Sequence, residues 1–249
     1  MKERMITVPE SVYESEKKMR FFGASPLEIY RNKFDIFIGI SISNKRIDLG
    51  MAFNYLKWAV RNTGGKVAVA IADELNIVNY KIFDKYGEKK SINRAKRVGD
   101  SFEEIFRKAI KKLSLKDQSK VKIYRWASIK KSANYIEIKD FLFEEYKQNP
   151  EFKSAILYFV KKYMRKKGKI ITDSKKIDEL ASYILGELPT LLQGIYLDGV
   201  NYNLCIYPTY FASGMSQFVM DIHNEELDVG KKLKKLIKNK AVLVEAWLD

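Results

Sequence analysis

Asp35-Ile36-Phe37-Ile38-Gly39-Ile40-Ser41-Ile42-Ser43-Asn44 reads as a buried β-strand that runs into Gly-x-Ser and then a polar turn. Ile47, Leu49, Phe53, Leu56 and Val60 follow at roughly helical spacing. A strand, a small-residue turn and a helix make the first half of a parallel βαβ unit. In such a sheet, ligands bind outside the carboxyl ends of the strands. That places Ser41 at the reactive edge, with Gly39 behind it to let a substrate approach. Backbone N–H groups at the start of the next helix are expected to face a developing oxyanion there.

Outward from this unit the alternation continues. The helix runs over 48–62 and closes at Thr63-Gly64-Gly65, a C-cap signal. A second strand spans 66–73 and is apolar on both faces, as parallel strands are. Asp73 ends it, either beside Ser41 as a substrate contact or as a helix cap. Further strands are expected at 121–126, 200–207 and 241–247. Residues 1–33 form an arm packed on the domain, with a short helix at 11–20. Residues 34–249 form one domain with a five-stranded, mainly parallel sheet flanked by helices, a Rossmann-like α/β fold. No Gly-x-Gly-x-x-Gly follows the first strand and no Walker motif occurs, so nucleotide binding has no support.

The chain has 249 residues, of which 46 are Lys or Arg and 31 Asp or Glu, for a formal charge of +15. Such an excess attracts a polyanion through steering and counterion release. A lysine-rich surface of no function has the same total; clustering argues for the polyanion. Residues 88–116 carry Lys89, Lys90, Arg94, Lys96 and Arg97, then a capping-box pattern at Ser101-x-x-Glu104. The helix expected after it sets Phe102, Ile105, Phe106, Ala109, Ile110 and Leu113 against Arg107, Lys108, Lys111 and Lys112 on the opposite face. Two helices at 134–147 and 151–166, broken at Asn149-Pro150, lead to six more cations between 161 and 169.

A helix capped by Thr172 or Asp173 follows, with Tyr183 and Glu187 one turn apart on one face. Pro189 is expected to stop it soon after. Glu187 near a helix carboxyl end opposes the macrodipole, so its placement suggests a task other than stability. The one histidine, His223, follows a helix at 217–222 in a polar stretch and reads as a surface residue. A basic amphipathic helix is expected at 231–238. The one cysteine, Cys205, permits no internal disulfide, and no cluster suggests a metal site. No apolar run is long enough for a membrane span, and 1–18 lacks a signal-peptide core. These features suit a cytoplasmic protein.

Together, Gly39-Ile40-Ser41-x-x-Asn44, Arg125-Trp126, Tyr183-x-x-x-Glu187-Leu188-Pro189 and Cys205-x-Tyr207 resemble the cyclodipeptide synthases in order and spacing, over about 34–248. These enzymes join two aminoacyl groups from tRNA into a diketopiperazine, on a fold similar to class I aminoacyl-tRNA synthetase catalytic domains. The resemblance implies four catalytic residues. Ser41 takes the first aminoacyl group as an ester, Tyr183 and Glu187 hold its ammonium, Glu187 handles protons, and Tyr207 serves cyclisation. It implies a ping-pong route through aminoacyl-Ser41 and a dipeptidyl-enzyme. Gly39 and Val69 are implied to line the aminoacyl pocket; Asn44 of the motif, and Asp73 from its place at the end of the second strand, are expected as further substrate contacts. Arg94, Lys96, Arg97, Arg107, Lys108 and Lys111 are implied to bind tRNA. Two aminoacyl-tRNAs used in turn are the partners, and a monomer with no cofactor and no metal is expected. The family has two types, one with Asn after the nucleophile and Gln or His after the late tyrosine, the other with Pro there. Here Asn44 stands with Pro208, and Pro208 places the chain in the Pro type because it constrains the backbone at the site.

Two other readings fit parts of the chain. A non-catalytic tRNA- or RNA-binding protein suits the charge. A serine esterase suits Ser41, but Gly-x-Ser-x-Gly and a plausible histidine base are missing.

Overall fold

The computed structural model describes residues 19–208, 214–237 and 239–248. Six strands form the main sheet: β1 (Met19–Phe22), β2 (Ile36–Ile40), β3 (Val67–Ile71), β4 (Val121–Arg125), β7 (Leu204–Pro208) and β8 (Val242–Ala246). Their order is β1-β8-β7-β2-β3-β4. Five strands are parallel, and β1 pairs antiparallel with β8 at one edge. The described part of the expected arm therefore belongs to the sheet, followed by helix α1 (Pro26–Asn32). The helix expected at 11–20 lies outside the described residues except for Met19 and Arg20, which are strand.

Alternation divides the sheet into two buried faces. Ile36, Ile38, Ile40, Val67, Val69 and Ile71 pack with α2 (Leu49–Asn62) and one stripe of α4 (Glu88–Ile110). Between β3 and α4 lies a short α3 (Ile77–Ile82). Phe37, Ala68, Ala70, Ala72 and Cys205 pack on the other face. That face is covered by α7 (Ala133–Gln148), α8 (Pro150–Lys166) and α9 (Ser174–Gln193), after α5 (Leu115–Gln118) and α6 (Trp126–Ile129).

Four expectations about elements are corrected. Ser101 does not start a helix. α4 runs unbroken for 23 residues because Ser91, Ala95, Gly99, Phe102, Phe106 and Ala109 form one continuous buried stripe. Ser101 Oγ donates instead to the Arg97 carbonyl within the helix, at 3.1 Å. Pro189 does not end α9, which continues to Gln193 with residues 184–193 all buried. Packing on all sides outweighs the hydrogen bond that proline forfeits, and neighbouring carbonyls gain substitutes. Tyr135 Oη donates to the Gly186 carbonyl at 2.9 Å and Thr190 Oγ1 to the Glu187 carbonyl at 2.8 Å.

The strand expected at 200–207 is two elements. A hairpin, β5 (Ile195–Leu197) and β6 (Val200–Tyr202), precedes β7. Its turn is Asp198-Gly199, both at positive φ, a strong two-residue hairpin signal. Gly194 joins α9 to this hairpin at φ 80°, where a Cβ would overlap the Tyr202 carbonyl oxygen. The helix expected at 231–238 is α11 (Asp228–Leu233), which follows α10 (Met215–His223) and ends in a turn.

Candidate active site

Ser41 leaves the carboxyl end of β2 at the rim of a small pocket. Phe37 and Gly39 from β2, Ala70 and Ala72 from β3, and Cys205 and Tyr207 from β7 form its floor. Trp126 closes one side, and Glu187, Thr190 and Leu191 of α9 another, with Ile195 of the hairpin beneath. The lining is almost entirely apolar apart from the hydroxyls and one carboxyl group. Ser41 Oγ lies 2.9 Å from Ser43 Oγ, and the Ser41 hydroxyl also interacts with the Tyr183 phenol.

Glu187 organises the electrostatics. It is buried, and burial raises its carboxyl to about 7, while a hydrogen-bonding interaction with Tyr207 pulls the other way. The carboxylate charge is the main cause of a raised Tyr207 phenol, with burial second. Burial, then the Glu187 charge, raises Tyr183 and the Cys205 thiol as well. A group that titrates near 7 can both hold an ammonium and carry a proton.

The structure brings Ser41, Glu187 and Tyr207 into one pocket wall and sets Tyr183 against Ser41. Gly39 is in the wall too. Val69 is not. Its side chain points into the opposite core, and Ala70, the register partner of Gly39, takes the pocket position. Side-chain direction alternates along a strand, so neighbouring positions serve different faces. Asp73 is not in the wall either. It is buried beneath Arg125, accepting from Nε at 3.1 Å and Nη2 at 2.7 Å, and from the Trp126 backbone N–H at 3.2 Å. Asn44 is held by backbone: its Nδ2 donates to the Pro208 carbonyl at 3.2 Å and its Oδ1 accepts from Arg46 N–H at 3.3 Å. It thus pins the turn after Ser41 to the end of β7, beside Tyr207.

The helix-start N–H groups expected near Ser41 are elsewhere. The turn at 42–47 intervenes, and Asp48 takes the Met51 N–H at 2.9 Å. His223 is buried rather than at the surface. Its Nε2 lies 2.8 Å from the Leu192 carbonyl, and burial depresses its basicity, so it is a neutral packing residue.

Tyr163 of α8 is a neighbour that sequence reasoning missed. Its ring lies parallel to Tyr183, with centroids 6.1 Å apart and 2° between planes, and Lys167 Nζ sits 5.4 Å from its centroid. Burial and then the Glu187 charge raise its phenol. No spacing in the sequence links Tyr163 to Tyr183, because they sit on different helices. Lys167, in the second cationic cluster, feels the charge of Lys45 from the turn after Ser41. On α4, Lys96, Arg97, Arg107 and Lys108 are exposed, as is Lys111 at its C-cap, and Arg94 is half-buried against Tyr80. Arg107 pairs with Glu103 at 2.5 Å and Lys108 with Glu104 at 2.7 Å, so both are partly neutralised.

The family model described as "Cyclodipeptide synthase" matches residues 18–223. The chain belongs to the cyclodipeptide synthase family. It is accordingly a tRNA-dependent aminoacyltransferase, which sets aside the non-catalytic and esterase readings. No curated protein matches the sequence. Solved structures agree in fold. A cyclodipeptide synthase from Staphylococcus haemolyticus is 18% identical, with 93% of this chain and 99% of that chain covered at a TM-score of 0.67. A Mycobacterium tuberculosis protein, described as relating cyclodipeptide synthetases to type I tRNA synthetases, is 14% identical, with 80% and 83% covered at 0.64. A synthase from Candidatus Glomeribacter gigasporarum, bound to Phe-tRNAPhe, is 17% identical, with 87% and 88% covered at 0.57. Among the described residues, no helix of the enzyme is long and apolar enough to cross a membrane.

Proposed function

We propose that the enzyme makes a 2,5-diketopiperazine by a ping-pong route through Ser41. The observation that carries this is Ser41 at the rim of an apolar pocket whose one buried carboxyl group, Glu187, titrates near neutrality. Ser41 Oγ attacks the ester carbon of a first aminoacyl-tRNA. The ribose oxygen leaves with the serine proton, and aminoacyl-Ser41 remains. An aminoacyl ester is already activated, so no strong base is needed. Glu187, as carboxylate, holds the new ammonium beside Tyr183, then accepts its proton to free the amine. That amine attacks the ester of a second aminoacyl-tRNA, releasing tRNA and leaving a dipeptidyl-Ser41. Glu187 returns its proton to solvent and the terminal ammonium loses one there too. The freed amine then attacks the Ser41 ester, Tyr207 takes the proton that the amine sheds as it gives its own to Ser41 Oγ, and the cyclic product departs.

The apolar wall suits uncharged side chains, and pocket shape selects among them. The exposed cations of α4 suit the acceptor arm of tRNA, contacted through phosphates. One chain supplies every group of the site, which is consistent with a monomer, and charged tRNA is met in the cytoplasm. We assign the enzyme to the Pro type on Pro208, and the bond from Asn44 to the Pro208 carbonyl supports a backbone clamp in place of a substrate contact. Intact-mass analysis after mixing with charged tRNA tests the route: wild type gains one aminoacyl mass and Ser41→Ala gains none. An adduct that persists in Ser41→Ala overturns it.

A further inference from the structure

We propose that Arg125 is a positioning residue that fastens the RNA-facing helix α4 to the aminoacyl pocket, so that phosphates held on α4 determine where the ester arrives over Ser41. The inference rests on the tRNA-dependent reading above. Arg125 ends β4, and its guanidinium spans the gap to α4. Two of its nitrogens bond Asp73, as given above. Nη2 also donates to the Lys96 carbonyl at 3.1 Å, and Nη1 donates to Asp100 at 2.7 Å and Glu103 at 3.2 Å. Each end of this strut has a functional neighbour. On the sheet side, Asp73 follows Ala72 and Trp126 follows Arg125, and both Ala72 and Trp126 are pocket wall. On the helix side, Lys96 supplies the carbonyl while its own ammonium joins Arg97 on the exposed face.

The helix is shaped for this contact. At Gly99 a Cβ would overlap Arg125 Nη2, lie 2.8 Å from Cζ and 3.0 Å from Asp73 Cβ. The absent side chain lets the guanidinium reach a carbonyl inside α4. As an ion-pair network this gives little reason to exist, since a buried pair often adds no stability over apolar packing. Geometry is a better reason, because a five-donor planar fork fixes several partners at once, as an ammonium does not. One guanidinium also faces three carboxylates, so its loss leaves more uncompensated negative charge under the cations of α4.

The test uses the full chain with Arg125→Lys, Arg125→Gln and Gly99→Ala. Gly99→Ala keeps every charge and pushes the helix off the fork. The readouts are the rate of aminoacyl-Ser41 formation at saturating aminoacyl-tRNA, the Kd for uncharged tRNA, and the melting transition. In Arg125→Lys and Gly99→Ala the saturated rate should fall by about tenfold or more, because small misplacements of reacting atoms are costly. Their Kd should change by less than about threefold, since the cations that contact phosphate remain. Arg125→Gln should lose rate and also bind tRNA more weakly. A folded Arg125→Lys with wild-type saturated rate overturns the proposal, as does Gly99→Ala losing rate and affinity in proportion. If Arg125→Gln does not fold, the other two variants still decide. Failure of the wild type to acylate with any charged tRNA sinks the tRNA-dependent reading and this strut with it; wild-type acylation with unaffected variants sinks the strut alone.

Discussion

Replacing Glu187 with glutamine should make the enzyme more stable while stopping product formation. The reason is the cost of burying an ionisable group. Glu187 has a folded value of about 7 against an ordinary 4.5, raised by burial. Between those values the folded state keeps a proton that the unfolded chain has lost, so stability is fully present below about 4.5, falls as pH rises through the interval, and levels off above about 7. The whole interval corresponds to roughly 3 kcal/mol, an upper figure for so buried a site. Glutamine keeps the shape, can still meet the Tyr207 hydroxyl and never ionises. The stability difference, variant minus wild type, should therefore grow by about 2 kcal/mol from pH 5 to pH 8. Urea unfolding at the two pH values measures it, and diketopiperazine output by mass spectrometry runs beside it. A difference that is flat with pH, or a variant less stable at pH 8, would falsify the assignment of Glu187 as a buried acid strained by its site. The same reasoning expects acylated wild type to lose the pH effect, because a bound ammonium restores the carboxylate's preference for ionisation.

Three further outcomes are expected. Ala70→Leu should shift the aminoacyl-Ser41 adducts toward smaller amino acids, whereas Val69→Leu should leave the adduct profile alone and cost about 1–3 kcal/mol by overpacking the other core, both read by intact mass and unfolding. Neutralising Lys96, Arg97 and Lys111 together should lower the slope of log Kd against log salt for tRNA by about 2, since each phosphate contact contributes about 0.7–0.9. An unchanged slope would put the RNA elsewhere. Gly194→Ala should cost at least about 2 kcal/mol in a denaturation titration, because its positive φ and the Tyr202 carbonyl both exclude a side chain.

Local patterns carried much of the architecture. The strands expected at about 34–41, 66–73 and 121–126 contain β2, β3 and β4, and Asn149-Pro150 parts two helices as expected, with Asn149 Oδ1 accepting from the Glu151 and Phe152 N–H groups at 3.1 Å. Where local rules failed, a tertiary force prevailed. Packing around residues 184–193 carried α9 past Pro189, and a continuous buried stripe carried α4 past Ser101. Asp198-Gly199 is a two-residue hairpin signal legible in the sequence, and it divides the stretch before β7.

At the site, local sequence pattern sufficed to put the right residue types near strand ends: Ser41 after β2, Tyr207 in β7, and Tyr183 with Glu187 one helical turn apart. Those depend on periodicities of two and 3.6, which a chain carries in its own order. Long-range packing, by contrast, sets Ala70 and not Val69 at the pocket, pairs Asp73 with Arg125, buries His223 and stacks Tyr163 on Tyr183. Each of these depends on register or on contacts between elements distant in the chain, and burial, which raises Glu187 to about 7, is a property of the packed molecule and not of any segment.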